Sequence, residues 1–128
     1  MSKFLTELEV SLKDDDKIWI LTALLIYQSD LLGTIAVPTG FETDFASVPR
    51  VPFVFESFGD RAHRESVIHD YLYRIDSIPI AKRRKADRVF LEAMKVRGKG
   101  FFVRGFMFLG VVIGGFGSYH KRKVGDKL

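Results

Sequence analysis

The sequence predicts an α+β fold, with a small amino-terminal antiparallel sheet, a long packed loop, an antiparallel helical hairpin and a closing apolar helix. Three observations predict it. Apolar and polar residues alternate near the amino terminus, apolar residues recur at helical spacing in the second half, and all but one of the prolines fall between residues 38 and 60. A chain of 128 residues that is 47 % hydrophobic is the size of one domain and can bury a core, so residues 1–128 read as a single domain.

In residues 6–12, Leu8, Val10 and Leu12 alternate with polar neighbours, the period of a half-buried strand. Three aspartates at 14–16 then make a turn. Residues 18–27 are apolar on both alternating sets, which predicts one strand covered on both faces, or else a helix. A third strand, 34–37, follows Gly33 and stops at Pro38. Residues 39–60 read as a loop whose phenylalanines, among them Phe41, Phe45 and Phe53, pack it down onto the core.

Asp60 is a good N-cap for a helix over 61–75 that ends near Ser77 and Pro79. A second helix, 80–97, is closed by Gly98, and the short connection makes the pair an antiparallel hairpin. Residues 101–119 are apolar but for Arg104 and Ser118. Their uninterrupted part, 105–117, is thirteen residues, against the ~20 that a spanning helix needs. This predicts a buried helix closing the core, with a membrane-surface element as the alternative.

The net charge of +4 and the basic clusters at 82–85 and 121–123 suit phosphate-bearing partners, or else are solvated helix ends. No nucleic-acid recognition motif accompanies them, so nucleic acid ranks last among partners. The absence of cysteine excludes disulfides and thiolate metal sites. The amino terminus reaches Glu7 before any apolar run, so it lacks a signal-peptide pattern, and synthesis in the cytoplasm is expected.

Chemistry points to the helical pair. His69 and Tyr73 share one helix face, while Asp70 is turned about 100° away. On the second helix Asp87 lies in an apolar stripe with Ile80, Arg83, Phe90, Leu91 and Met94. A carboxylate buried there requires partners. His69 and Tyr73 across the hairpin are the natural donors, and Arg83, one turn earlier, is the internal rival. Held by Asp87, the His69 imidazole can act as a general base toward water. Asp70 is then left for a cation, or for Arg74 at i+4. Asp44 sits on a loop rich in carbonyls, which offers the oxygen ligands that calcium prefers, or is simply a turn or capping residue.

Three motifs, at 40–50 (GFETDFASVPR), 67–74 (VIHDYLYR) and 86–94 (ADRVFLEAM), resemble the phage and prophage family known as domain of unknown function 1353. That likeness implies a bacteriophage origin, and so virion or tail proteins as partners. His69-Asp70 with Tyr73, followed by Asp87, Phe90 and Met94, is also similar to the helix pair of the phospholipase A2 superfamily. This second likeness implies a calcium-dependent lipid ester hydrolase acting at a phospholipid surface. It makes His69 the base, Asp87 the carboxylate orienting it, Tyr73 the tyrosine bonding that carboxylate, and Asp44 and Asp70 calcium ligands. The chain departs from that superfamily in having no cysteine and in placing Phe45 and Ala46 where the calcium loop has glycines. The competing expectation is a non-enzymatic virion or tail-assembly protein in which the same polar cluster ties loop to helices.

Overall fold

A computed structural model describes residues 2–13, 18–43, 63–97, 104, 105, 108, 112, 119 and 122–127. The fold is α+β, and its elements lying wholly within the described residues are two three-stranded antiparallel sheets and two helices. Strands β1 (Lys3–Phe4), β4 (Leu25–Ser29) and β5 (Gly33–Val37) form one sheet in the order β1-β4-β5. Strands β2 (Val10–Leu12), β3 (Trp19–Leu21) and β6 (Glu42–Thr43) form the other in the order β2-β3-β6.

Two predicted strands therefore need correcting. The stretch 6–12 is strand only in its last three residues, and the single strand expected over 18–27 is two strands in different sheets. The break falls at Thr22, Ala23 and Leu24. Thr22 donates its amide to Glu9 and Leu21 bonds Phe41, so β3 ends by pairing in its own sheet before the chain turns into β4. Apolar residues on both alternating sets thus mark a change of sheet here, where two covered faces were expected. In β4 only alternate side chains, Leu25, Tyr27 and Ser29, are buried.

The β4–β5 hairpin pairs Leu25 with Val37 and Ser29 with Gly33. Gly33 closes it at φ 81°, and Gly40 at φ 91° turns the chain from β5 into β6. Both angles lie in the left-handed region that glycine enters without a Cβ clash. Strand β6 begins inside the stretch expected to be loop, because Glu42 and Thr43 complete the second sheet beside β3. The rest of that loop, including Asp44, lies outside the described residues, as do the proposed caps Asp60 and Gly98.

Helix α1 spans His63–Leu72 and α2 spans Arg83–Val96. The second begins three residues later than expected, after a cis Ile78–Pro79 bond and with Lys82 as N-cap. Ile80, expected on its buried stripe, stands before it and is 70 % exposed. The stripe that is buried runs Ala86, Asp87, Val89, Phe90, Ala93 and Met94, the i, i+3, i+4, i+7 spacing of an amphipathic helix. One cluster of buried residues joins Leu21, Tyr27 and Ile35 of the sheets to Val67 and Ile68 of α1 and Ala86 and Val89 of α2.

Of the apolar helix expected over 101–119, Arg104, Gly105, Phe108 and Val112 have helical backbone, and the remainder lies outside the described residues except Tyr119. Among the described residues no helix is long and apolar enough to cross a membrane.

Candidate active site

Helices α1 and α2 pack directly on each other, and their contact is polar at one point. His69 Nε2 lies 2.7 Å from Asp87 Oδ1, and the Tyr73 hydroxyl donates to the same oxygen at 2.5 Å. Both partners of the His69–Asp87 contact are almost wholly buried, His69 at 2 % and Asp87 at 2 % exposure. Removing a carboxylate from water costs several kcal/mol unless donors replace the lost hydration. The two donors converging on one oxygen supply that replacement. Arg83, the internal rival, donates to the Val112 carbonyl at 2.9 Å and also acts on the Tyr73 hydroxyl, whose pKa its charge and hydrogen bond lower.

Local geometry explains why Tyr73 is in place. It follows the last residue of α1, and its amide still bonds the His69 carbonyl, so one further helical turn sets its ring beside the imidazole. The ring centroids are 4.1 Å apart. Tyr119 then closes against Tyr73 edge-on and anchors itself through a 2.6 Å bond to the Ala81 carbonyl. Burial, the bond to Asp87 and that carboxylate's charge all push the Tyr73 hydroxyl far above its ordinary pKa, so it stays a neutral donor.

With Asp87 accepting at Nε2, the proton on a neutral imidazole belongs on that nitrogen and the lone pair on Nδ1, an assignment made from the hydrogen-bond network. Nδ1 is buried and makes no hydrogen bond among the described residues. Phe90 packs on the ring at 5.3 Å and fixes its plane from the other helix. A ring held from one nitrogen, with the other unengaged, can take a proton from a water molecule.

Asp70 serves a different neighbour from His69, because the helix turns it aside. Its Oδ2 accepts the Thr43 hydroxyl at 2.5 Å, joining α1 to the end of β6. Thr43 immediately precedes Asp44, which is outside the described residues. Arg74, one turn on, is buried, donates to the Glu42 carbonyl and stacks over Phe41. The structure thus brings together His69, Tyr73 and Asp87, and sets Asp70 beside Thr43.

The sequence reading placed Thr43 in the carbonyl-rich loop but not its hydroxyl on Asp70. Glu65 and Ser66, both buried one turn before His69, escaped it. The i−3 and i−4 spacing from His69 was the signal that could have found the last two.

Oxygen donors of the kind at Asp70 and Thr43 suit calcium in type. Among the described residues no group of three His, Asp or Glu side chains converges, and Asp44 lies outside them.

No curated protein and no solved structure matches the chain. A family model does match, over residues 19–111, a span that begins at β3 and contains the His69, Tyr73 and Asp87 cluster together with Asp70. On that match the chain belongs to DUF1353, a family of proteins of unknown function.

Proposed function

We propose that this chain is a single-domain bacteriophage protein that hydrolyses a lipid ester, with His69 as the general base. The observation that carries this reading is the orientation of His69, engaged by Asp87 at Nε2 and unengaged at Nδ1. In the reaction, Nδ1 takes a proton as the water oxygen bonds to the ester carbonyl carbon. The tetrahedral intermediate then collapses, the bond to the alcohol oxygen breaks, and the imidazolium returns the proton to that oxygen. Asp87 stabilises the transient cation, and Tyr73 keeps Asp87 in place.

Calcium held by Asp44 and Asp70 would supply Lewis-acid polarisation of the carbonyl. The Thr43–Asp70 bond supports a role for Asp70 as an ordered oxygen donor. The phage assignment rests on the likeness of the three motifs. The basic clusters and the apolar 101–119 segment would meet the phospholipid surface, after synthesis in the host cytoplasm and with or without incorporation in the virion.

A second reading is favoured by one observation, the near-complete burial of both His69 and Asp87. In it the chain is a virion or tail-assembly protein and the polar cluster only fixes the packing of the helices. The two readings separate on mixed phospholipid vesicles with calcium. The enzyme releases fatty acid, His69→Gln abolishes release while the chain stays folded, and chelation of calcium stops it. A wild-type protein that releases nothing would sink the hydrolase reading.

A further inference from the structure

Ser66 is fully buried in the interior of α1, three residues before His69, and its hydroxyl makes no hydrogen bond among the described residues. That is unusual. A serine within a helix normally turns its hydroxyl to the carbonyl one turn back, or to solvent, and a buried hydroxyl left alone costs about 1–3 kcal/mol. The His69 Nδ1 atom is in the same condition, buried and without a hydrogen bond.

The two groups are neighbours by helix geometry. Residues three apart lie on one face with Cβ atoms about 5–6 Å apart, and a helical histidine leans back toward the preceding turn. A direct Ser66–His69 bond is not made, yet a single water donating at about 2.8 Å to Nδ1 and to the Ser66 oxygen spans such a gap. Glu65, buried at 2 % on the same turn, adds a carboxylate to this face and makes it polar enough to hold a water.

We propose that Ser66 is a positioning residue that, with His69 Nδ1, holds a buried water molecule at the imidazole. The use of that water as the hydrolytic nucleophile rests on the hydrolase reading above. There the Ser66 hydroxyl accepts one water proton while Nδ1 accepts the other, which leaves an oxygen lone pair for the ester carbonyl. Ser66 itself forms no covalent bond. The water loses one proton to Nδ1 and becomes the new oxygen of the carboxylic acid.

The test uses the full chain and Ser66→Ala, a change that removes one oxygen and keeps a residue of high helix propensity. Histidine is labelled with nitrogen-15, and the His69 resonances are assigned by their loss in His69→Gln. The proposal expects the Nδ1 resonance to move in Ser66→Ala while Nε2, fixed by Asp87, stays. On phospholipid vesicles it expects kcat to fall about tenfold with KM unchanged, the upper end of the worth of one neutral hydrogen bond. An unmoved Nδ1 resonance overturns the role of Ser66, even if the wild type is an active hydrolase. A moved resonance in a protein that releases no fatty acid keeps the water site and removes the hydrolase reading.

Discussion

Asp87 is the residue on which the interior of the site depends. Its Oδ1 atom accepts from both His69 and Tyr73, so Asp87→Ala strands two donors in a buried place. We expect that substitution to lower stability by about 3–5 kcal/mol, the cost of breaking a buried pair by removing one partner, measured by denaturant unfolding. Tyr73→Phe takes away one donor and leaves the carboxylate with the other, so its loss should be nearer about 1–2 kcal/mol. For Asp70 the prediction concerns an ion. If it is a calcium ligand, calcium raises the melting temperature of the wild type and leaves Asp70→Asn unchanged, as scanning calorimetry would record. Equal shifts in both proteins would remove Asp70 from the calcium proposal.

At the scale of elements, α2 is fastened to the first sheet by a polar contact as well as by its apolar stripe. The Tyr27 hydroxyl and the Ser29 hydroxyl both donate to Glu92 Oε1, at 2.7 and 2.8 Å. Ser29 also accepts the amides of Leu31 and Leu32, and so shapes the turn that closes β4 onto β5. One carboxylate thereby orders a helix face and a hairpin turn together. Glu92→Ala should cost about 2–3 kcal/mol, since hydrogen bonds to a charged acceptor exceed neutral ones in worth. Hydrogen exchange should show the loss concentrated in the β4–β5 hairpin, and uniform loss of protection across the chain would contradict this coupling. The turn after α1 is tied in the same manner to the carboxyl-terminal residues, by Ile75 bonding the Arg122 carbonyl and Val124 bonding Asp76.

For the whole molecule, alkaline pH is the sharpest probe of how completely the core is closed. Tyr27 and Tyr73 are buried at 0 % and 6 % exposure. Burial, followed by the neighbouring carboxylates Glu92 and Asp87 respectively, raises both hydroxyls far above their ordinary value of 10.0. Below pH 10 the folded and unfolded chains both hold these protons, and the stabilisation is fully present. Above it the unfolded chain ionises while the folded one does not, so stability falls as pH rises further. Tyrosinate absorbance should therefore appear for these two residues only together with loss of near-ultraviolet circular dichroism. Ionisation of all four tyrosines while the native signal persists would show that the interior is open to solvent.

The sequence by itself determined the α+β class, the short third strand, the existence of both helices and the need of Asp87 for a partner. These are local matters, because period, turn residues and a charge in an apolar stripe are written along a few consecutive positions. Tertiary structure decided the rest. The residues 18–27 are apolar in a way that fits either one doubly covered strand or two strands in different sheets, and only the pairing of β3 with β2 and β6 selects the second. The start of α2 was misplaced because Ile80 extends the apolar period into a stretch whose backbone is not helical. For the site, the wheel put His69, Tyr73 and Asp87 on facing surfaces. Which imidazole nitrogen meets the carboxylate depends on the distance between two packed helices, a quantity that no pattern within either helix contains. The same holds for Thr43 against Asp70, two residues whose 2.5 Å contact joins a strand end to a helix across 27 positions of sequence.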